Sequence, residues 1–335
     1  MKSRASSSKP RIFFAVLLAA IVLAGSITAV LSAIAADQYW NQPHLQNALL
    51  DISGYGGHIG QSDSGLDETK SIVHECNEEA VPISEELGGF FNTCNAMIID
   101  TFQDLYGVDV SEKLNTLQIM ESAYPESVSE MVGGSHSSSF PNKLFLNKAL
   151  LDVFRSDMAG GKTLDVASTE FSAKMLRTVY IHEAMHYLGF NSDSGFDHFI
   201  EAFAECLSEK VMNHSGIKYE SITGYASIQG FAAQIAECDP EFIRNVLTMD
   251  DFDMGKYFNS KLQSRDGVNY AEYYDKMIGL VRSESTENPG RIAFYTQYLT
   301  YEYCKAASGS AKDILREHKN GAVMLFEIRW MLNLY

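Results

Sequence analysis

The sequence predicts an α+β protein that is predominantly α-helical, with a small β-sheet before a central helix and a helical C-terminal part. Apolar residues recur every three or four positions between residues 171 and 188, and again between residues 198 and 212, as on an amphipathic helix. Residues 143–147 read Lys-Leu-Phe-Leu-Asn, a short strand pattern. A hydrophobic content of 46% with 21% charged residues is typical of folded chains and argues against wholesale disorder.

The N-terminus is predicted to be a targeting segment. Residues 1–11 are basic, and residues 12–36 carry no charge and are long enough to span a bilayer. The basic flank places residues 1–11 in the cytoplasm and the remainder outside it, while Ala33-Ile34-Ala35 fits a signal-peptide cleavage site. A cleaved signal peptide and an uncleaved membrane anchor both stay open. Either way the chain is expected to be extracytoplasmic, secreted or tethered by one span.

The next segments are less informative about chemistry. Residues 37–67 are rich in Gly, Ser and Asn and are predicted to be a linker, and residues 68–135 are predicted to form an N-terminal helical region. The Gly-Gly-Ser-His-Ser-Ser-Ser run at 133–139 predicts a flexible break. His136, which lies in this run, is predicted to be a loop histidine rather than a ligand.

Composition restricts the partners and the compartment. The formal net charge is −17, which excludes nucleic acid as an expected partner because such binding relies on Lys and Arg. Five cysteines are compatible with an oxidising compartment, and Cys76 and Cys94 are near enough in sequence to form one disulfide. Buried free cysteines are an equally reasonable prediction.

The central helix is predicted from its ends and from its apolar face. Ser168 is predicted as the N-cap, and Gly189 is predicted to end the helix. Between them an apolar stripe that begins at Phe171 continues through His182 and His186, at spacings of three or four. The two imidazoles are therefore expected to face the protein interior.

The central helix carries the His-Glu-x-x-His motif. His182 and His186 are four residues apart, so they lie on the same helix face and can bind one cation. Glu183 lies one position further round, beside a water molecule rather than on the metal. Buried imidazoles without a metal would each need another partner. The motif therefore predicts a Zn²⁺ site with a glutamate general base.

A second helix, predicted over residues 198–212 with Asp197 or Ser194 as its cap, carries two acids four residues apart. Glu201 and Glu205 would destabilise the helix slightly unless a cation lies near them. A catalytic zinc ion needs a third protein ligand and an open position for water, and its histidines need carboxylates to orient them. The second helix can supply both.

The motif at 182–186 and the Phe-Ile-Glu-Ala-Phe-Ala-Glu segment at 199–205 together resemble the gluzincin class of zinc metallopeptidases. That class includes thermolysin and the membrane alanyl aminopeptidases. The resemblance implies a zincin-like catalytic core, predicted at 136–250, followed by a helical C-terminal region at 251–335. It implies that His182, His186 and Glu201 bind Zn²⁺, that Glu205 braces a ligand histidine, and that Glu183 is the general base. Because Glu205 fits the aminopeptidase spacing better, the roles of the two acids could be exchanged.

The metzincin pattern fits less well. Gly189 stands where that class has its glycine, but the third metal ligand would fall on Ser192, and Asp193 is one position off. Compact gluzincins use a tyrosine after the ligand helix to stabilise the oxyanion, which makes Tyr225 the candidate here. With 17 tyrosines in the chain, an ordinary helix-start role for Tyr225 stays open.

The sequence-based hypothesis is an extracytoplasmic zinc metallopeptidase that acts on a peptide or protein substrate. The membrane is a further partner if the N-terminal segment is uncleaved. A cell-surface interaction protein with a structural or vestigial zinc site is the main alternative. A helical binding protein without metal is another. The sequence does not distinguish endopeptidase from exopeptidase action.

Overall fold

The computed structural model describes residues 64–129, 132–190, 196–219, 228–250, 252–262 and 269–283, with residues 299–300, 303–304 and 306–307. These residues fall within one compact unit, Ser62–Tyr335. The predicted segments at 1–11 and 12–36, and Tyr225, lie outside the described residues. Among the residues that are described, no helix combines the length and the apolar composition needed to cross a bilayer.

Helices dominate the described part of the chain. In chain order its elements are α1 (Ser64–Glu78), β1 (Val81–Pro82), α2 (Gly88–Tyr106), α3 (Ser111–Thr116), β2 (Gln118–Ser122), α4 (Glu126–Ser129), β3 (Gly134–His136), β4 (Lys143–Asn147), α5 (Lys148–Ala159), α6 (Phe171–Leu188), α7 (Asp197–His214), α8 (Gln229–Cys238), α9 (Pro240–Thr248), α10 (Met254–Lys261) and α11 (Tyr270–Ser283).

The described strands form one small mixed sheet in the order β1-β2-β4-β3. β2 runs parallel to β4, with Met120 opposite Phe145, whereas β1 and β3 are antiparallel to their neighbours. The predicted strand at Lys143–Asn147 is confirmed as β4. A mostly helical chain with a small mixed sheet confirms the α+β fold class. β1 and β2 come from residues 68–135, so the sheet draws on both sides of the predicted boundary at 135.

The central helix α6 packs between the sheet and other helices. It contacts β3 and β4 on one side and α2, α5 and α7 on others. Its fully buried hydrophobic residues lie on more than one face: Ala173, Leu176, Tyr180, Ile181, Ala184, Met185 and Leu188. The prediction that Phe171 starts a buried stripe was wrong, because this side chain is 71% exposed at the first turn. The helix is enclosed rather than amphipathic, and this suits a buried site.

The start of α6 differs from the predicted cap. Glu170 occupies the N-cap position without a side-chain capping bond, and Ser168 Oγ instead accepts a hydrogen bond from the Glu170 N–H at 3.2 Å. The serine therefore closes a small turn just before the helix. At the other end, Gly189 follows the last helical residue as predicted, with a φ of 141°.

Gly189 is expected to be intolerant of any side chain. A Cβ atom there would lie 2.7 Å from the Val246 carbonyl oxygen, in addition to the strain of the positive φ. Gly161 also has a positive φ, at 82°, but open space around its Cβ position, so it is a matched control. Gly189→Ala should lower the free energy of unfolding by more than the roughly 1–3 kcal/mol of backbone strain alone. Urea unfolding of both variants tests this, and equal losses would contradict it.

The N-terminus of α7 is capped by another helix. Asp197 is the first helical residue and pairs with Lys70 Nζ at 3.0 Å, rather than capping the helix. Asp275 on α11 accepts a hydrogen bond from the Phe199 N–H at 2.8 Å. Neither predicted cap is therefore supported: Asp197 has another role, and Ser194 lies outside the described residues. The position of α7 depends instead on its packing against other helices, chiefly α8 and α6, together with α2 and α11.

The suggested disulfide between Cys76 and Cys94 is wrong. Both cysteines are free, and Cys94 is fully buried. A disulfide instead joins Cys238, the last residue of α8, to Cys304. The bridge connects the end of α8 to a C-terminal residue 66 positions away, a pairing that sequence spacing does not reveal.

Candidate metal centre

The structure brings together the three predicted metal ligands. His182 and His186 project from adjacent turns of α6, and Glu201 projects from the second turn of α7. His182 Nε2 lies 3.0 Å from Glu201 Oε2 and 3.2 Å from His186 Nε2. His186 Nε2 lies 3.6 Å from Glu201 Oε1. Both histidines are buried, and the Glu201 side chain is 19% exposed.

These distances fit the donor geometry that zinc prefers. Bonds of about 2.0–2.1 Å to imidazole nitrogen and carboxylate oxygen, in a tetrahedron, put neighbouring donor atoms roughly 3.3 Å apart. The three measured separations of 3.0, 3.2 and 3.6 Å lie around that value. One ligand atom from each of the three residues falls within 4.8 Å of the others. The donor set therefore fits Zn²⁺, although its role as a zinc site stays a prediction.

The hydrogen bond at Nδ1 of His186 fixes the orientation of this imidazole ring. His186 Nδ1 is hydrogen-bonded to the backbone carbonyl oxygen of Phe190, just beyond the end of α6. A carbonyl oxygen only accepts, so Nδ1 carries the proton. In the neutral imidazole this leaves the lone pair on Nε2, the atom that faces His182 and Glu201.

Glu205 lies behind His182. Its Oε2 atom is 3.3 Å from His182 Nδ1, so Glu201 and Glu205 approach opposite nitrogens of one imidazole. Glu205 has no exposed surface, and Tyr219 OH donates a hydrogen bond to its other carboxylate oxygen. Of the two predicted assignments, the geometry favours Glu201 as the ligand and Glu205 as the brace.

Tyr219 was missed by the sequence analysis, in which the one tyrosine singled out was Tyr225, for the separate oxyanion role. Tyr219 follows the end of α7, in a segment with no helical or strand pattern and no motif. No signal in the sequence distinguishes it from the other tyrosines of the chain. Its contact with a fully buried carboxylate identifies it only once the fold is known. It supports Glu205 and does not replace Tyr225 in the predicted oxyanion role.

The site favours positive charge between its carboxylates. Burial lowers the pKa of His182, but Glu201 and Glu205 raise it, and the net result is a pKa of about 10. Burial also lowers the pKa of His186, which Glu201 raises above its ordinary value. The pKa of Glu201 is well below its ordinary value, because the two imidazoles outweigh the effect of burial. Protons supply the positive charge in this state, and a divalent cation would supply it in their place.

Zinc binding is therefore expected to release protons. A histidine with a pKa of about 10 is protonated at neutral pH and must lose its proton to bind a metal. Raising the pH removes the competing proton, so zinc affinity should rise with pH below that value. Calorimetric titration with zinc in two buffers of different ionisation enthalpy measures the protons released per ion. Release of about one or more supports the arrangement, and no release at neutral pH would contradict it.

Glu183 packs against the sheet at Gly134 and interacts electrostatically with His182, His186 and Glu201. A Cβ atom on Gly134 in β3 would lie 2.9 Å from Glu183 Cγ, so the strand and the helix can approach this closely only because residue 134 is glycine. Burial raises the pKa of Glu183, the two site histidines lower it, and a hydrogen bond from the His136 backbone N–H lowers it further. The net direction is upward.

His136 lies in a strand and not in the predicted loop. It is the last residue of β3, opposite Leu144 of β4. Its Nδ1 atom is 2.9 Å from the Lys143 carbonyl oxygen, and its ring contacts the Tyr187 ring edge to face at 5.6 Å. His136 is not among the three residues whose donor atoms lie within 4.8 Å of one another, and the prediction that it is no ligand stays a prediction.

No protein-family model, curated protein or solved structure matches this chain. The functional interpretation therefore depends on the geometry of the site and on the sequence motif.

Proposed function

We propose that this chain is a zinc-dependent peptidase of the gluzincin type, with a zincin-like core built around α6 and α7. The observation that carries the proposal is the joint placement of two imidazoles, a carboxylate and a separate buried carboxylate. His182, His186 and Glu201 are spaced for one cation, while Glu183 projects from the same helix towards β3. An ordinary pair of core histidines does not require this combination.

His182, His186 and Glu201 would hold the zinc ion, with Glu205 and the Phe190 carbonyl orienting the two imidazoles. When bound, zinc supplies a Lewis acid that polarises a peptide carbonyl and lowers the pKa of water. The buried surroundings of the site keep these electrostatic effects strong.

Glu183 moves the proton in the proposed reaction. Its carboxylate takes a proton from the water molecule that attacks the peptide carbonyl, and then gives that proton to the departing amine. A general base works best when its pKa approaches the working pH, and burial raises the pKa of Glu183 in that direction. A hydrogen bond from the His136 N–H opposes this rise in pKa, because it stabilises the charged carboxylate.

The proposed substrate is a peptide or protein outside the cytoplasm. The compartment follows from the basic and apolar segments at 1–36 and stays a prediction. A chain with a formal net charge of −17 attracts cationic ligands more readily than anionic ones. We therefore include basic peptides among the substrates to be tested.

A peptidase assay on the full-length chain tests the function. A mixture of peptides is incubated with the protein, and mass spectrometry identifies the bonds that are cut. Cleavage should stop with a zinc chelator and return when zinc is added back. The Glu183→Gln variant, purified identically, controls for contaminating proteases. One bound zinc ion without cleavage of any peptide would favour the non-catalytic interaction protein. Failure of zinc to bind would favour a metal-free helical protein.

A further inference from the structure

Three polar side chains form a closed hydrogen-bonded ring that includes the central residue of β3. Tyr124 OH donates to Asn77 Oδ1 at 3.0 Å, and Asn77 Nδ2 donates to Ser135 Oγ at 3.0 Å. Ser135 Oγ lies 3.1 Å from Tyr124 OH and completes the Asn77–Tyr124–Ser135 ring. Asn77 is 3% exposed and Tyr124 is 9% exposed, so this ring is part of the protein interior.

The ring and the general base lie on opposite faces of the same strand. Side chains alternate along a strand, so Ser135 points away from the face that Gly134 and His136 share. Gly134 lies against Glu183 on that second face. The strand between them donates the His136 N–H to the Glu183 carboxylate. A displacement of β3 at Ser135 would therefore move the hydrogen-bond donor of Glu183.

β3 needs such an anchor because it is short and lies at the edge of the described sheet. It has three residues, and β4 is its partner among the described strands. Short strands at a sheet edge are held by few ladder bonds, which leaves side-chain contacts to fix their position. Asn77, at the end of α1, supplies one contact to the central residue of β3, and Tyr124 supplies another.

We infer that Asn77, Tyr124 and Ser135 are positioning residues for Glu183. They fix β3 so that the His136 N–H holds the carboxylate in the orientation needed for proton transfer. The inference rests on the proposed peptidase function. It extends the active site to α1, a helix that sequence analysis placed in a region with no recognised chemistry.

The test compares variants that open the ring with one that restores it. Ser135→Ala removes the serine hydroxyl, Tyr124→Phe removes the tyrosine hydroxyl, and Ser135→Thr keeps a hydroxyl at the same place in a residue that suits strands. Tyr303→Phe is the matched control, because it removes a buried tyrosine hydroxyl that donates to Asp239 at 2.7 Å. Kinetics with a cleaved peptide, zinc content and hydrogen exchange of the His136 amide are measured for each variant.

Ser135→Ala and Tyr124→Phe should lower kcat by about tenfold or more, because small misplacements of a catalytic group are costly. KM and zinc content should stay unchanged, since neither substrate contacts nor ligands are removed. The His136 amide should exchange faster in both variants. Ser135→Thr should recover most of the lost kcat, and Tyr303→Phe should retain the wild-type kcat.

The outcomes separate this inference from the proposed function. If the wild type cleaves peptides and the ring variants match Tyr303→Phe in kcat, the inference is overturned and the function stands. If the wild type cleaves nothing, the proposed function and the catalytic role of the ring both fail. His136 exchange then decides whether the ring still positions β3: faster exchange in Ser135→Ala than in Tyr303→Phe supports this, and equal exchange overturns it.

Discussion

Replacement of Glu183 by glutamine is expected to reduce peptide hydrolysis severely and to leave zinc binding intact. Glutamine has nearly the same size, but its amide cannot take a proton from water or deliver one to an amine. General acid–base catalysis contributes about 10²–10⁴-fold, so kcat should fall by that amount. His182, His186 and Glu201 keep their mutual distances of 3.0 to 3.6 Å, and zinc should still bind.

Two measurements check this prediction: peptide turnover, and zinc content of the same preparation. Glu170→Gln is the matched control, because Glu170 precedes α6 directly and pairs with Lys162 at 2.8 Å, outside the site. The control should retain both turnover and zinc. Full turnover in Glu183→Gln would refute the proposed mechanism, whatever the zinc content.

Replacement of His186 by alanine is expected to remove zinc and activity together. His186 supplies one of the three proposed ligand atoms, and His182 and Glu201 supply the others. Two protein ligands are too few for a stable catalytic zinc site. Loss of a residue that hydrogen-bonds to a metal ligand typically weakens metal affinity by about 10–100-fold. Loss of the ligand itself should weaken the affinity by more than that. Peptide hydrolysis should be lost in parallel and should not recover when zinc is added at stoichiometric amounts.

His214→Ala is the control for the loss of a histidine. His214 lies on α7, the helix that carries Glu201, but it is partly exposed and pairs with Asp104 at 3.1 Å. Zinc titration followed by competition with a chelator gives the affinity of each variant. A wild-type affinity in His186→Ala would contradict the assignment of the ligands. A loss of affinity in His214→Ala as large as in His186→Ala would show that the effect is not specific to the site.

The local parts of the fold could be predicted from the sequence, and the non-local parts could not. The short apolar run within Lys143–Asn147 predicted β4, and Gly189 was correctly predicted to end α6. β2 was missed because Met120 is its one buried hydrophobic residue, and its register comes from parallel pairing with β4. The spacing of apolar residues in α6 indicated one buried face, whereas tertiary packing buries nearly every face of this helix.

The candidate site also has a part that local sequence predicts and a part that depends on tertiary packing. The spacing of His182, Glu183 and His186 is fixed by one helix, so the motif was sufficient to predict their common face. The approach of Glu201 depends on how α7 packs against α6, which only the family resemblance suggested. Tyr219 and the hydrogen bond from His136 depend on segments without any pattern. The cap of α7 comes from a residue 76 positions away, beyond the reach of local sequence rules.

The central claim is that one zinc ion is bound by two imidazoles and one carboxylate contributed by α6 and α7. X-ray absorption at the zinc edge of the zinc-loaded full-length chain tests it most directly. The spectrum should contain two imidazole nitrogen ligands and oxygen ligands at about 2.0–2.2 Å. His186→Ala, loaded in the same way and freed of unbound metal, should give no zinc-edge signal. A sulfur ligand at roughly 2.3 Å, or a wild-type spectrum without imidazole, would contradict the account.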